Sequence, residues 1–431
     1  MISYEDAVKK VLENTQVLKT EGRPVLESSG QVSAENVFSD FDLPQTDISG
    51  PDGYAVRSLD LKGAGKDAPV VLRIVGTARA GRVTTKVVKT GAAVRIMTGS
   101  VIPGGADCVV RFEDTDEPGN KNGPNRNNPS MVKIYVEAAQ GTGIRPSGSN
   151  VKKGTMVLSK GTLMGPAQIS ALLSIGKTQV TVIRRPVVTV IATGDELISP
   201  DRQLSPGKTY NCNAAAIASL VAHYGGIPRI LGVARDNETS ILEKIQKGMA
   251  SDAIITSGGI SQGDYDLVRF ILGKVGEIVF SRIKMGPGAA VAFGSIKRPP
   301  VRGRNAGIPV FALAGPPTGC LINFETLVRP ALLKMRGLTQ VNHPAVEATA
   351  ADTTANNAAI PFVKWTYLEE IDGEYRVVIN VAESVGSLAS IATANSLTII
   401  PEQSLVSAGD TIRVLPLDWR RYQSRINWTF T

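Results

Sequence analysis

Oxygen donors carry most of the chemistry this sequence offers. Four short segments, each at the end of an apolar run, set glycine or proline beside carboxylates or hydroxyls. They are Thr193-Gly194-Asp195-Glu196, Arg235-Asp236-Asn237, the stretch from Ser257, Gly258 and Gly259 through Ser261, Gly263 and Asp264 to Asp266, and Ala314-Gly315-Pro316-Pro317-Thr318-Gly319. Glu196, Asp236, Asp264 and Asp266 are hard-oxygen ligands of the kind Mg²⁺ takes when it bridges to a substrate phosphate. The glycine-rich third segment runs into a helical pattern, where backbone N–H groups can cradle a phosphate or pterin-like anion. A phosphoanhydride beside Mg²⁺ is the implied chemistry. Each segment alone has a plain reading as a turn or an acidic cap after a strand, and only the four together argue for a ligand edge.

Other chemistries have little support. Only His223 and His343 occur, far apart, which argues against imidazole triads and histidine-rich metal sites. Cys108, Cys212 and Cys320 are odd in number and lack C-x-x-C pairing, so they are expected to be small buried hydrophobes. A net charge of +8 favours anionic partners, but aromatics are 5% and no basic stripe interleaves with them, so the charge is read as attraction for a phosphorylated small molecule and not for nucleic acid. No run approaches the roughly 18 apolar residues of a membrane span, and the acidic start lacks a basic-then-apolar signal, so the expectation is a cytoplasmic protein without membrane contact.

The elements that must position these loops follow from periodicity. Ser3 and Asp6 before Ala7, Val8, Val11 and Leu12 predict a capped amphipathic helix. From about Leu43 to Glu137, β-branched residues and glycine predict a small β-rich insertion, with strands at Val70 to Val75 and Ala106 to Phe112 and a solvated loop at Glu117 to Ser130. From Pro186, apolar strands at Val187 to Ala192, Ile230 to Val233 and Ala253 to Thr256 alternate with helical stretches at Ala214 to Tyr224, Thr239 to Met249 and Asp266 to Leu272. That alternation predicts an α/β domain whose parallel sheet has crossover helices, with ligands outside the carboxyl ends of the strands. Asn213 is expected to cap the first of these helices and Gly225 to close it. After about Gly337, strands at Phe362 to Tyr367, Tyr375 to Val381, Leu397 to Ile400 and Thr411 to Val414 predict a C-terminal β domain.

Asp52 ahead of Gly53 and Thr98 ahead of Gly99 read from spacing only as turn residues. Together, however, Asp52-Gly53-Tyr54-Ala55-Val56, Arg95-Ile96-Met97-Thr98-Gly99, Pro103-Gly104-Gly105-Ala106-Asp107, Thr193-Gly194-Asp195-Glu196-Leu197 and Ser257-Gly258-Gly259 resemble, in order, the signature of the molybdopterin molybdenumtransferases of the MoeA and gephyrin E-domain type. The likeness runs from the first helix to about Ala394-Asn395. It implies a homodimer and four parts: residues 1–45 with 143–182 as a discontinuous N-terminal domain, 46–142 as an inserted β-rich domain, 183–336 as the molybdopterin-binding α/β domain, and 337–431 as a C-terminal β domain. It further implies Mg²⁺-dependent insertion of molybdate or tungstate into adenylylated molybdopterin with release of AMP, between an upstream adenylyltransferase and downstream molybdoenzymes. The family's cleft takes contributions from both subunits.

By that resemblance the catalytic residues are Asp52, Thr98, Glu196 and Asp266, and Glu196, Asp264 and Asp266 hold the metal. Substrate-binding residues are Thr193, Gly194, Asp195, Asp236, Ser257, Gly258, Gly259, Ser261, Gly263, Pro287, Gly288, Gly315 and Pro317. Several positions depart from the family pattern. Gly286-Pro287-Gly288-Ala289-Ala290 stands where two lysines resembling an oxyanion clamp are usual, Pro316 replaces an asparagine, and Asn150 and Asn237 replace aspartates. Losing two cations from a dianion site costs several kcal/mol unless other donors substitute, for which Lys364, Ser390, Lys284 and backbone N–H groups are available. Two other readings follow from these departures and from the α/β pattern: a non-catalytic gephyrin-like scaffold that binds molybdopterin, and a CinA-like nucleotide hydrolase.

Overall fold

The computed structural model describes residues 1–117, 130–259, 267–297, 307–381 and 388–417. The chain forms two compact units, Met1–Ala34 with Gly161–Gly165 and Val180–Thr431, and Glu35–Lys160 with Pro166–Gln179.

The second unit is built on a five-stranded sheet in the order Cys108–Arg111, Gly53–Val56, Ala92–Ile96, Val70–Ala78, Met131–Ile134. Its core sets Tyr54, Leu61, Leu72, Val110 and Ile134 together. The expected strands are present: the one at Val70 runs on to Ala78, and the other is confined to Cys108–Arg111. Most of the polar stretch expected as a solvated loop, residues 118–129, lies outside the described residues.

In the first unit, Ser3 Oγ accepts the Asp6 amide at 3.0 Å and starts the helix Tyr4–Glu13, as its capping signature predicts. The α/β part follows with strands β1 (Val187–Thr193), β2 (Ile227–Ala234), β3 (Ala253–Ser257), β4 (Gly276–Phe280), β5 (Ala292–Ile296) and β6 (Ile308–Leu313). Their order is β2-β1-β3-β6-β5-β4, parallel from β2 to β6 and antiparallel through β5 and β4. Strands β3 and β6 are buried at every residue, the near-continuous apolar run of a sheet covered on both faces. Helices α1 (Asn213–His223), α2 (Glu238–Gly248), α3 (Leu267–Val275) and α4 (Pro317–Asn323) belong to this part. A π-helical turn at Phe324–Val328 carries α4 into the helix α5 (Arg329–Met335), and nearly all of that run is buried.

One capping expectation changes. Gly225, at φ 76°, follows α1 in the left-handed conformation that closes a helix. Asn213 is instead the first helical residue, and Asn211 Oδ1 accepts the Ala214 amide at 3.3 Å in its place. Asn213 is thereby released for a long-range bond.

The C-terminal strands Val346–Ala350, Glu374–Val378, Phe362–Ile371, Ser396–Ile400 and Thr411–Pro416 close into a barrel. The Gly286 amide donates to the Pro361 carbonyl at 2.9 Å, and the Val363 amide donates to the Gly286 carbonyl at 2.6 Å, so this loop of the α/β part is stapled to the barrel. No helix among the described residues is long and apolar enough to cross a membrane.

Candidate functional site

The parallel strands end in register. Thr193 pairs with Ala234, Ala192 with Ser257, and Ser257 with Leu313, which brings the loops after β1, β2, β3 and β6 to one edge as expected. Strand order reverses around β1, so the crevice between the ends of β1 and β3 is the topological switch point of the sheet.

Glycine makes that crevice. Gly258 and Gly259 have φ of 90° and 68°, a backbone conformation that costs other residues about 1–3 kcal/mol. A Cβ on Gly258 would stand 2.5 Å from the Thr193 carbonyl oxygen, and one on Gly259 would stand 2.8 Å from Thr193 Oγ1. The Thr193 hydroxyl donates to the Ser257 carbonyl at 3.2 Å. The amide of Gly194 reaches the Ala234 carbonyl at 3.2 Å, and that of Gly258 reaches the Leu313 carbonyl at 3.1 Å, tying each loop to a neighbouring strand end. Gly315 lies against Gly258, so that a Cβ on Gly315 would stand 3.7 Å from the Gly258 Cα.

Carboxylates line the rim. The Glu196 carboxylate folds back over Gly194, where a Cβ would lie 2.4 Å from its oxygen. Asp195 and Asp236 exchange backbone-to-carboxylate bonds, the Asp195 amide to Asp236 Oδ2 at 3.1 Å and the Asp236 amide to Asp195 Oδ1 at 3.4 Å. Lys208 Nζ donates to the Asp195 carbonyl at 2.8 Å. Asn237, where the family pattern has an aspartate, caps α2 by accepting the Ser240 amide at 2.9 Å. Asp195, Glu196 and Asp236 are all exposed, and among the described residues no group of three or more histidines, cysteines or carboxylates is placed to hold a metal ion. Ser261, Gly263, Asp264 and Asp266 lie outside the described residues.

The loop carrying Pro287 and Gly288 is held against α4 and stapled to the barrel strand that bears Lys364. Lys364 Nζ donates to Thr354 Oγ1 at 2.6 Å and to Asn380 Oδ1 at 2.7 Å, both neutral acceptors. Burial lowers its pKa, and Asp352 opposes that shift. Ser390 is buried on the short helix Leu388–Thr393 of the same domain. Pro317 opens α4.

In the second unit, Asp52 and Thr98 meet. Asp52 Oδ1 accepts the Thr98 amide at 2.6 Å and the Thr98 hydroxyl at 2.9 Å. The amide first, then the hydroxyl, holds this carboxyl below its ordinary range. Both residues are exposed at the ends of paired strands.

Sequence reasoning missed three residues. Asn213 Nδ2 donates to the Gly315 carbonyl at 2.8 Å, fixing the loop after β6. Asn323 donates to the Gly288 carbonyl at 2.9 Å. Cys212, expected to be buried, is exposed, whereas Cys108 and Cys320 are buried. An asparagine inside a helical run gives no sequence signal of a partner far along the chain.

The family model of the MoeA N-terminal region (domain I and II) matches residues 2–176, and that of the probable molybdopterin binding domain matches residues 189–334. The molybdopterin molybdenumtransferase of Nostoc sp. is 33% identical over 396 residues, 90% of this chain and 87% of that protein. Its counterpart in Bacillus subtilis is 30% identical over 419 residues, 96% of this chain and 94% of that protein. The crystal structure of the molybdopterin biosynthesis MoeA protein from Pyrococcus horikoshii matches with a TM-score of 0.79 at 30% identity, covering 96% of this chain and 99% of that one.

Proposed function

Because the chain belongs to the MoeA family and is a molybdopterin molybdenumtransferase of molybdenum cofactor biosynthesis, we propose that it inserts molybdate or tungstate into adenylylated molybdopterin, with Mg²⁺ and with release of AMP. The observation that carries this reading is the β1/β3 crevice, where Gly258 and Gly259 close on Thr193 and the Glu196 carboxylate stands at the rim. A pterin-phosphate is large, flat and anionic. Two glycines in left-handed conformation let the loop after β3 close on Thr193, where any side chain would push the β1 and β3 loops apart and shift the backbone proposed to meet such a ligand.

Among the described residues no group of three or more carboxylates is placed to hold a metal ion, and support for Mg²⁺ is limited to the hard-oxygen chemistry of the exposed Glu196. In this proposal Glu196, with Asp264 and Asp266, holds the ion, and the ion supplies charge neutralisation at the phosphoanhydride. The protein's own work is positional. Asp195 and Asp236 lock the loops after β1 and β2 together, Asn213 fixes the loop after β6, and the Gly258 and Gly259 backbone receives the ligand. Asp52, with its depressed pKa, is proposed to act as an anion held by Thr98. The assignment of substrate-binding roles to Lys364, Ser390, Pro287, Gly288, Gly315 and Pro317, the four-part domain division and the homodimer belong to the same proposal.

The experiment is AMP release and metal-cofactor formation from adenylylated molybdopterin, with Mg²⁺ and either molybdate or tungstate, in wild type and Glu196→Ala. Turnover in wild type that is lost in the variant supports the insertase. The loop Gly286 to Ala290, which bears no cation, favours one other reading, a molybdopterin-binding scaffold. Tight pterin binding by wild type without turnover is its signature.

A further inference from the structure

Behind the contact of Asp52 with Thr98, two arms of the second unit meet. Thr98 follows the strand Ala92–Ile96, and Asp52 precedes the strand Gly53–Val56, which pairs with it so that Tyr54 lies opposite Arg95. The Asp52 carbonyl accepts the Phe112 amide at 3.3 Å, and Phe112 opens the turn Phe112–Asp114. Two further bonds carry that turn on to Glu117. The Thr115 hydroxyl donates to the Phe112 carbonyl at 2.8 Å, and the Glu117 amide donates to the Thr115 hydroxyl oxygen at 3.1 Å. One arm thus carries Thr98, and the other holds the backbone of Asp52.

An ion pair joins the arms. Arg95 Nη2 and Nε both donate to Glu117 Oε1, at 2.8 and 3.2 Å, and the guanidinium lies 4.4 Å from the centroid of the Phe112 ring. That ring in turn meets Tyr54 edge-on at 5.4 Å. Glu117, expected to begin a solvated loop, has a side chain only 13% exposed and takes φ 34°, a conformation disfavoured for a residue with a side chain. Its other oxygen, Oε2, is buried without a hydrogen bond, and the fully buried Tyr54 hydroxyl beside it closes none either. Such a pair adds little to stability, because desolvation and two unmet polar atoms offset its Coulombic gain. What it fixes is geometry. The carboxylate has Tyr54 of the Asp52 strand beside it and takes Arg95 of the Thr98 strand.

We propose that Arg95 and Glu117 are positioning residues for the reaction: their ion pair closes the turn that holds Asp52 onto the strand that carries Thr98, and so sets the carboxylate that Thr98 binds. This rests on the proposed reading in which Asp52 acts as an anion. Neither Arg95 nor Glu117 touches the substrate; both act through the contact of Asp52 with Thr98.

The test compares wild type with Glu117→Ala and Glu117→Gln in the full chain, following the Asp52 carboxyl titration and Thr98 amide exchange by NMR, with kcat and KM measured in parallel. The sign of the titration separates position from charge. Deleting the Glu117 charge leaves Arg95 unneutralised, which by itself lowers the Asp52 midpoint, whereas loosening the bonds from Thr98 raises it. Glu117→Ala is expected to raise the midpoint, to speed Thr98 amide exchange at least tenfold and to reduce kcat about tenfold, with the pterin KM within twofold. Glu117→Gln keeps an acceptor for the guanidinium and is expected to stay within threefold of wild type in exchange and kcat, with a midpoint no higher than that of wild type. A midpoint unchanged or lowered in Glu117→Ala would overturn the inference, as would equal losses in kcat and KM, which mark a general packing role. So would a Glu117→Gln variant as impaired as Glu117→Ala. If Glu117→Ala does not fold, Arg95→Met decides by Thr98 amide exchange, which stays at the wild-type rate if the pair positions nothing. A wild type that shows no turnover would sink the insertase reading and not this inference, which the midpoint and the exchange then decide.

Discussion

Thr193 and Gly258 lie so close across the switch point that any Cβ on Gly258 would stand 2.5 Å from the Thr193 carbonyl oxygen. That oxygen is backbone and cannot swing aside, so the cost of a side chain falls on the separation of the β1 and β3 loops. Gly258→Ala adds the penalty of φ 90° to this clash, together on the order of 3 kcal/mol. The expected outcome is loss of pterin binding by at least about a hundredfold, that energy converted at 1.4 kcal/mol per decade. Calorimetric titration with molybdopterin checks it, and a melting temperature within a few degrees of wild type places the effect in the loop.

The Asp52 and Thr98 contact separates charge from shape. Asp52→Asn keeps an Oδ1 acceptor for the Thr98 amide and hydroxyl, so the turn should persist. If the proposed anionic role is correct, kcat falls about a hundredfold or more with little change in thermal stability. Activity within threefold of wild type would leave Asp52 a turn residue.

Acid titration gives the same pair an independent check. The folded pKa of Asp52 is depressed, so its stabilisation is present above the unfolded value of about 3.9 and is lost as pH falls through the folded value. Asp52 therefore contributes no inflection to activity between about pH 5 and 8. Following its carboxyl carbon by NMR should give a titration midpoint below that of Asp52 in a Thr98→Val variant, in which the hydroxyl donor is gone.

Thiol chemistry should distinguish the three cysteines. Burial first, with Asp107 adding to it, pushes the Cys108 thiol up to about 12, and burial raises that of Cys320 also. Neither forms thiolate near neutral pH, whereas Cys212 is exposed beside Asn213, whose side chain holds the Gly315 carbonyl. One thiol per native chain is expected to react rapidly with an aromatic disulfide reagent, and Cys212→Ser to abolish that phase. Reaction of two or more thiols before unfolding would contradict the burial of Cys108 and Cys320.

Where a residue's role is local, the sequence discloses it. Ser3 announces the first helix because its partner, the Asp6 amide, is three residues away, and Gly258 and Gly259 announce a close approach because only glycine adopts their conformation cheaply. The apolar runs at Val187 and Ala253 are legible as covered parallel strands for the same reason. Asn213 is misread as a cap because local spacing fits that role, while its actual partner is 102 residues on. Asn323 is invisible because the glycine it holds is 35 residues earlier in another loop. Asn237 illustrates the converse: set against the family pattern it looks like a missing carboxylate, yet the Asn237 to Ser240 spacing is that of a helix cap. The barrel's closure depends on the pairing of Val346–Ala350 with Thr411–Pro416, a long-range partnership that alternation within a strand cannot specify.

The entry to the α/β part is held by Arg184 and Asp252. Two bonds of 2.6 Å join the guanidinium to both carboxylate oxygens, and Asp252 also accepts the Val187 amide at 3.0 Å, so one carboxylate aligns the starts of β1 and β3. Asp252 is 8% exposed, and the hydrogen bond to it, partly offset by burial, raises the Arg184 pKa. Asp252→Ala would leave a half-buried guanidinium and a strand amide without their acceptor, a loss on the order of 3 kcal/mol. Arg184→Met removes the cation but leaves the carboxylate its backbone bond, and should cost less, about 1–2 kcal/mol. Urea unfolding monitored by tryptophan fluorescence and circular dichroism would rank the two. Because the pair sits at the amino ends of the strands, opposite the ligand edge, both variants should retain wild-type molybdate KM under conditions in which they are folded, and a KM shift would mean that the strand ends transmit disorder across the sheet.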